Sequence, residues 1–507
     1  MTAGPLVVGV LSARSPEALR RLARSAAAAR ADLLELRLDA LDPAVPLETA
    51  LGAAAGARPL VLTCRPEWEG GGYRGDEADR RRLLRRAAAA APAVRFVDVE
   101  LRAVDGASLP DGAGRIVSFH DFSGTPPHLE ELARSAVATG AEHVKIVTTP
   151  ARHADVARVL ELNGRALRSD VTAFGMGETG FPSRVLSAAR GGALVYAAID
   201  AESASAPGQE TVDVLLDRYR VRSIGPRTRV YGIAGDPVRH SLSPRLHNAL
   251  FARHGIDAVY LPFRAVDFRD LWSARGSYGL EGLSVTIPHK VTAARLADAL
   301  DPLAGAIGAV NTLVRASDGA SRFTGHNTDA DAAIEGLEAA AGGPAALSEI
   351  LARGETAVAG AGGAARAIGH ALRSRGAERG VVLNRDAARA AVLASELGWT
   401  SAPLEALARL RPALLVQATS AGMGEGRGDE TVVPESILGP GTLVFEAVYS
   451  PPETRLVRDA RARGATVVPG TEMFVRQAAR QFLLFTGVAV DLGSVRRALL
   501  QGAEAAP

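Results

Sequence analysis

The stretch His143-Val144-Lys145-Ile146-Val147 sets an amine in the middle of a β-branched, apolar run. Such a run forms a buried strand, and a lysine inside it needs either a polar cavity or a route to solvent. Reading outward, similar short runs recur at residues 6–10, 33–36, 60–63, 94–99, 116–119, 171–174 and 194–197, separated by Ala/Leu/Arg-rich stretches of helical character. Eight strands with helices between them, over roughly 200 residues, read as a (β/α)8 barrel. A doubly wound sheet shows the same alternation.

The positions of the ionisable residues favour the barrel, whose chemistry gathers at the C-terminal ends of the strands. Glu35 and Arg37 end the second run and Arg65 follows the third. Asp98 and Glu100 end the fourth, His120 follows the fifth, and Lys145 lies inside the sixth. One strand-end charge is ordinarily a solvated cap. Successive strands that all end this way point to a shared polar cavity. Desolvation there lowers an amine's pKa and raises its nucleophilic fraction, which suits imine formation with a ketone. The alternative for Lys145 is to snorkel to solvent or to pair with Glu100. His120 can act as base and then as acid, with Glu69 or Glu100 orienting it.

At 507 residues the chain exceeds a single hydrophobic core, and 47% hydrophobic with 22% charged residues is ordinary globular composition. A net charge of +2 implies no nucleic-acid partner. The single cysteine, Cys64, excludes an intrachain disulfide. With no signal-like start and no long apolar run, the expectation is a cytoplasmic protein without a membrane partner.

A basic, Pro-containing stretch, 220–229, reads as a linker, and a new strand follows at 230–234. A further unit opens with 356–359 running into Gly360-Ala361-Gly362-Gly363-Ala364-Ala365, the strand–turn–helix context of a dinucleotide fingerprint. Gly360 allows the tight turn, Gly362 lets backbone approach a pyrophosphate, and Ala365 permits close helix packing. The next strand ends in Asn384-Arg385, where an acid would grip the ribose of NAD and an arginine can pair with the 2′-phosphate of NADP. Asp386 follows and would repel a phosphate, with Arg389 available to compensate. Lys290 and Asp329 are either a simple ion pair or a proton relay. The segment 473–500 reads as helical and should pack back on the middle unit.

Several motifs together carry a family resemblance. Glu35-Leu36-Arg37-Leu38-Asp39, Thr63-Cys64-Arg65, Glu69-Gly70-Gly71, Val97-Asp98-Val99-Glu100-Leu101 and Ser118-Phe119-His120-Asp121-Phe122 resemble type I 3-dehydroquinate dehydratase, as do Lys145, Gly180-Phe181-Pro182-Ser183-Arg184 and Ser205-Ala206-Pro207-Gly208-Gln209. The resemblance covers about residues 5–220. It implies that Lys145 forms a Schiff base, that His120 shuttles protons with Glu69 orienting it, and that no metal is required. Glu35, Arg37, Arg65, Arg184, Ser205 and Gln209 would hold the substrate's carboxylate and hydroxyls.

Residues 230–505 resemble shikimate dehydrogenase, through Gly235-Asp236-Pro237-Val238-Arg239-His240-Ser241-Leu242-Ser243-Pro244, Ser284-Val285-Thr286-Ile287-Pro288-His289-Lys290, Ile307-Gly308-Ala309-Val310-Asn311-Thr312 and Asn327-Thr328-Asp329. Later motifs agree: Ala418-Thr419-Ser420-Ala421-Gly422-Met423, Glu446-Ala447-Val448-Tyr449 and the run from Gly470 to Gln477. Gln417 and Glu446 stand where that family usually has Asn and Asp, and Asp386 where it commonly has Thr. The resemblance implies Lys290 and Asp329 as the catalytic pair, Ser241 and Ser243 on the substrate carboxylate, and Thr286, Asn311, Asn327 and Gln477 at the ring hydroxyls. It assigns NADP to Gly360, Gly362, Gly363, Ala364, Asn384, Arg385, Arg389, Thr419, Met423 and Gly470. The division it implies is a TIM barrel at 1–220, a substrate domain at 229–340 completed by helices at 472–507, and a Rossmann domain at 341–471. The product of the first half would be the substrate of the second, 3-dehydroshikimate. Two other readings stay open: a quinate dehydrogenase using NAD in the second half, kept alive by Asp386, and a catalytically inactive metabolite sensor.

Overall fold

In the computed structural model, the described residues are 4–56, 58–104, 112–163, 170–316, 318, 321–424 and 426–500. The expected C-terminal extent to 507 therefore lies outside them beyond 500. The chain forms two compact units, Met1–Val230 with Phe251–Leu280, and Tyr231–Leu250 with Glu281–Pro507.

The first unit holds eight parallel strands: β1 (Leu6–Leu11), β2 (Leu33–Arg37), β3 (Leu60–Thr63), β4 (Val94–Glu100), β5 (Gly114–His120), β6 (His143–Thr148), β7 (Asp170–Gly175) and β8 (Leu194–Ala198). Each pairs with its neighbour in sequence from β1 to β7, and β8 pairs with β1. The circle is nearly closed. Between β7 and β8 the backbone amide of Leu194 donates to the Thr172 hydroxyl at 2.9 Å, so a side chain stands where a ladder bond would close the barrel. Strands buried on both faces explain the continuous apolar runs read from the sequence. Val8, Val10, Leu33, Val61, Phe96, Ile116, Val147, Phe174 and Tyr196 fill one core cluster.

The basic stretch expected as a linker is tied down. Arg222 donates to Arg30 O and Asp32, Arg220 donates to Ala258 O, and the Thr228 hydroxyl donates to Asp257 at 2.7 Å. Residues 251–280 contribute a strand, Ala258–Arg264, and a helix, Phe268–Tyr278, to this unit. There the buried His153 ring bridges Tyr278 Oη at 2.7 Å and Arg264 O at 2.9 Å.

The second unit contains two sheets. In one, Arg229–Gly235, Leu280–Val285, Thr312–Arg315, Phe323–His326 and Ala299–Leu300 lie side by side in that order, with Thr312–Arg315 antiparallel to both its neighbours. The helix Gly470–Thr486 packs back on it as expected, for Tyr231 Oη donates to Phe485 O at 2.8 Å and their rings are 5.1 Å apart.

The other sheet is all parallel, in the order Thr400–Pro403, Gly380–Asn384, Thr356–Ala359, Leu414–Gln417, Leu443–Glu446, Thr466–Val468. Its chain order is that of the doubly wound dinucleotide fold, with the reversal between Thr356–Ala359 and Leu414–Gln417. Separate apolar clusters cover its two faces. Among the described residues no helix is long and apolar enough to cross a membrane.

Candidate active sites

The polar ends of the barrel strands converge on one buried cluster. Side chains two apart on a strand share a face, which brings Asp98 and Glu100 of β4 beside Ser118 and His120 of β5. Register sets Ser118 opposite Lys145 and Thr63 opposite Asp98. Arg65, 4% exposed, sits at the centre. Its guanidinium donates to Glu100 at 2.8 Å, Ser118 at 2.6 Å, Asp98 at 2.9 Å and Glu69 at 3.3 Å. Glu100 is also paired with the fully buried Arg80 at 2.6 Å. Ser118 in turn donates to Asp98, and the Thr63 hydroxyl to Glu35 at 2.7 Å.

Lys145 is buried. Its Nζ lies 3.6 Å from Asp98 and 3.8 Å from Glu35. Neither of the alternatives read from sequence holds, since the amine does not reach bulk solvent and Glu100 is engaged by the two arginines. Burial holds the ammonium below the usual lysine range. Glu35 and Asp98 offset part of that, while Arg65 and Arg37 add to it. The amine is thus biased toward its neutral form beside carboxylates that favour a cation once one forms.

His120 is held by Glu69, whose Oε1 accepts the His120 backbone N–H at 3.0 Å and whose Oε2 lies 3.7 Å from Nδ1. The Nδ1 atom itself is buried without a hydrogen-bond partner. Burial, then the charges of Arg65 and Lys145, hold the imidazole well below its usual pKa, so the resting ring is a base. Burial also pushes the Glu69 carboxyl up to about 7, against the pull of Arg65. A cation formed on the ring meets a carboxyl poised to ionise beside it.

The remaining predicted residues divide by environment. Arg37 is clamped by Asp39 at 2.9 and 2.7 Å. Arg184 is buried, over the Phe174 ring at 4.8 Å, and donates to Pro207 O at 3.3 Å, while its Nε has no partner. Burial brings its pKa down to about 10, with Glu210 offsetting part. A buried cation with no carboxylate in contact is suited to a carboxylate ligand. Ser205 and Gln209 hold each other across their loop, the Ser205 backbone amide and hydroxyl donating to Gln209 Oε1 at 2.8 and 3.2 Å.

In the second unit Lys290 Nζ donates to Asp329 Oδ2 at 2.5 Å. Asp329 lies in the first turn of the helix Thr328–Ala341, where Asn327 caps the end by accepting the amides of Asp329 and Ala330. Asn311 donates to the other Asp329 oxygen and to Thr328, both at 2.9 Å. Asn327 donates to Ala309 O, so its side chain is bonded at both ends. Gln477, buried on Gly470–Thr486, donates to Phe474 O at 3.2 Å. Ser241 Oγ accepts the amide of Ser243 at 3.2 Å. Thr286 packs its methyl against Gly235, where a Cβ would come within 2.3 Å of it.

The glycine loop lies at the strand-order reversal. Gly360 has φ +116° and its absent Cβ would stand 2.7 Å from Ala418 O, so only glycine fits. At Gly362 a Cβ would meet nothing within 4 Å, leaving open space before the helix Gly363–Ser374, whose first amides have no side-chain cap. Uncapped amides facing open space fit a pyrophosphate. Gly363 approaches Lys290 so closely that a Cβ would lie 2.8 Å from Lys290 Cδ, which brings this loop, with Ala364 behind it, to the Lys290–Asp329 pair.

At the end of Gly380–Asn384, Asp386 is the N-cap of the helix Ala387–Leu397 and accepts the Arg389 amide at 3.1 Å. Arg389 also pairs with the Asp386 carboxylate at 3.4 Å, which offsets the negative charge. Asp386 therefore supplies the cap that a threonine would supply. Arg385 beside it is exposed. Thr419 donates its amide to Gln417, the Met423 amide bonds Ser420 O, and Gly470 packs so tightly on Val448 O that a Cβ would come within 2.2 Å.

Glu446 is a buried carboxyl facing no cation. It accepts Val448 N and Thr454 Oγ1 at 2.9 Å and Gln417 Nε2 at 3.3 Å, and burial pushes it up to about 7. Because the folded state holds this proton more tightly than the unfolded chain, stability falls as pH rises from about 4.5 to about 7. The loss is on the order of 3 kcal/mol. Glu446→Gln should remove this decline, read as a flatter pH dependence of the melting temperature of the second unit.

Tyr196 and Tyr449 were not among the residues picked from sequence. Tyr196 lies in an apolar run and reads as core, yet its ring centre is 3.7 Å from Lys145 Nζ. Tyr449 sits in a recognised motif, and only the fold shows it stacked on Phe474 at 4.5 Å.

Both parts of the chain are similar to known proteins. A family model of type I 3-dehydroquinase matches residues 8–226, one of the shikimate dehydrogenase substrate-binding domain matches 233–313, and one of the shikimate 5′-dehydrogenase C-terminal domain matches 470–500. A chloroplastic bifunctional 3-dehydroquinate dehydratase/shikimate dehydrogenase of Arabidopsis thaliana is 40% identical over 480 residues, covering 90% of this chain and 78% of that protein. A shikimate dehydrogenase (NADP(+)) of Natronomonas pharaonis is 40% identical over 53% of this chain and 98% of its own. Among solved structures, a quinate dehydrogenase from Corynebacterium glutamicum in complex with NAD is 29% identical and covers 54% of this chain and 99% of its own, with a TM-score of 0.47.

Proposed function

Since the chain belongs to the family of bifunctional type I 3-dehydroquinate dehydratase/shikimate dehydrogenases, we propose that Lys145 with His120, and Lys290 with Asp329, are the groups that carry its two reactions. The chain dehydrates 3-dehydroquinate to 3-dehydroshikimate and reduces that to shikimate with NADPH. The single observation that carries the assignment is Lys145 Nζ, buried with its ammonium disfavoured, in one cluster with a histidine held neutral.

In the dehydratase, the neutral amine attacks the ketone carbon. The C–N bond forms and the C–O bond breaks, the carbonyl oxygen leaving as water with one proton from the amine and one from solvent, to give an iminium between Asp98 and Glu35. The iminium draws electrons from the adjacent C–H bond, and His120 takes that proton. The β-hydroxyl then departs with the proton from His120, and water hydrolyses the imine to free Lys145 and product. Glu69 steadies the transient imidazolium. Arg184 pairs with the substrate carboxylate, with Ser205 and Gln209 beside it. Arg65 and Arg37 are held by internal carboxylates, so their part is to set the charge of the cavity as well as to meet hydroxyls. Arg184→Met should raise KM for 3-dehydroquinate roughly 10²-fold, the loss of a buried charge-assisted pair, with NADPH oxidation on 3-dehydroshikimate unchanged.

In the dehydrogenase, NADPH supplies a hydride when bound. The loop Gly360, Gly362, Gly363 and Ala364 would hold its pyrophosphate, Asn384, Arg385 and Arg389 its 2′-phosphate end, and Thr419, Met423 and Gly470 the remainder. Ser241 and Ser243 would take the substrate carboxylate, and Thr286, Asn311, Asn327 and Gln477 the ring hydroxyls. Lys290 holds the proton that the carbonyl oxygen needs as it becomes an alcohol, and Asp329, fixed by Asn311 and its helix terminus, orients that ammonium.

On this reading the chain divides into a barrel at 1–220, a substrate domain at 229–340 with the C-terminal helices, and a Rossmann domain at 341–471. Family-model matches at 8–226 and 233–313 support the first two, and the parallel sheet running from Thr356–Ala359 to Thr466–Val468 supports the third. We assign the protein to the cytoplasm, with small molecules as its ligands. A coupled assay tests the whole reading. With 3-dehydroquinate and NADPH, absorbance at the NADPH band should fall, and a chain that consumed NADPH only when given 3-dehydroshikimate would lack the first activity.

A further inference from the structure

Tyr196 occupies an unusual place in the barrel. One side of its ring joins an apolar cluster with Val8, Val10, Phe174 and Leu194, and the ring centre stands 3.7 Å from Lys145 Nζ. Its hydroxyl is buried without a hydrogen-bond partner. The contact that sets this residue apart from the rest of the cluster is therefore made by its ring face and not by its hydroxyl.

We propose that Tyr196 is a further catalytic residue of the dehydration, whose ring face stabilises the positive nitrogen of Lys145, first as ammonium and then as the iminium formed with the ketone. This rests on Lys145 being the imine-forming lysine.

The charged and titratable groups around the nitrogen come from every neighbouring strand. Glu35 and Arg37 stand on β2, Arg65 follows β3, Asp98 is on β4 and His120 on β5. Both anions are committed elsewhere, Asp98 to Arg65 and Ser118, Glu35 to Thr63. The aromatic face is negative at its centre and attracts a cation within about 6 Å, more strongly where water is excluded. It differs from a carboxylate in one useful respect, for it favours the cation without being a base. In the step it assists, the ammonium first gives up a proton and the neutral amine adds to the ketone, forming the C–N bond. As the C–O bond breaks, the oxygen leaves as water with that proton and one from the amine, and the positive charge returns to the same nitrogen as the iminium. A group that favours a cation at that one point therefore acts on the ammonium and on the electron sink alike.

The experiment uses the full chain and reads the pH dependence of kcat/KM for dehydration, together with the yield of borohydride-reduced adduct at Lys145. Tyr196→Phe retains the ring face and should keep the wild-type acid limb. Tyr196→Leu should move that limb to lower pH by about one unit, because the ammonium loses support, and should lower adduct yield several-fold at saturating substrate. Tyr196→trifluorophenylalanine, introduced site-specifically, keeps the shape but weakens the negative face, and should move the limb in the same direction as leucine. It carries the test if the leucine variant does not fold, with NADPH oxidation on 3-dehydroshikimate as the control of integrity. If the fluorinated or leucine variant is slower while its acid limb stays at the wild-type pH, the ring only packs and the inference is overturned. A wild-type chain that forms no adduct at Lys145 would instead refute the imine assignment, whatever the Tyr196 variants do.

Discussion

Lys145→Ala should lose dehydration of 3-dehydroquinate by ~10⁴-fold or more while the reduction of 3-dehydroshikimate proceeds at its normal rate. The size follows from the chemistry, because removal of the nucleophile takes away the covalent route and leaves only binding and acid–base assistance. The selectivity follows from the fold, since Lys145 lies on β6 of the first unit and the Lys290–Asp329 pair in the second. The small side chain also leaves Asp98 and Glu35 near a cavity without their cation. Thermal melting should accompany the assay, to separate a lost nucleophile from a lost barrel.

Lys290→Met should give the reciprocal result, with NADPH oxidation reduced by ~10²–10⁴-fold, the range for a lost general acid, and dehydration intact. Methionine keeps the length and apolar stem that Gly363 packs against, so the loop geometry is retained while the proton donor is removed. Both kcat and kcat/KM should fall together if the ammonium acts on the alkoxide formed in the transition state. A rise in KM alone would mean that Lys290 only binds.

The barrel was legible because its strands are apolar throughout and end in charge, a pattern that survives without any tertiary information. The eight runs read from sequence fall on the observed strands with differences of a residue or two at their ends. The glycine loop was legible from its strand and helix neighbours. What sequence hides is who pairs with whom. Arg65 reads as a substrate ligand, yet its guanidinium is shared among Asp98, Glu100, Glu69 and Ser118. Glu69 and Glu100 read as equivalent partners for His120, and the two arginines on Glu100 separate them. Asp386 reads as a charge opposed to a phosphate, whereas the fold uses it to cap a helix and pair with Arg389. Tyr196 could not be distinguished from a core aromatic, because a cation over its ring is a contact between β6 and β8, which lie far apart in the chain. In each case the missing information is a distance across strands, and residue type does not encode that.

The most direct measurement is peptide mapping of the chain after borohydride reduction in the presence of 3-dehydroquinate. A buried amine that condenses with the ketone leaves a single stable adduct, on the peptide containing Lys145, and only when substrate is present. An adduct on another lysine, or none at all while dehydration runs at full rate, would contradict the account.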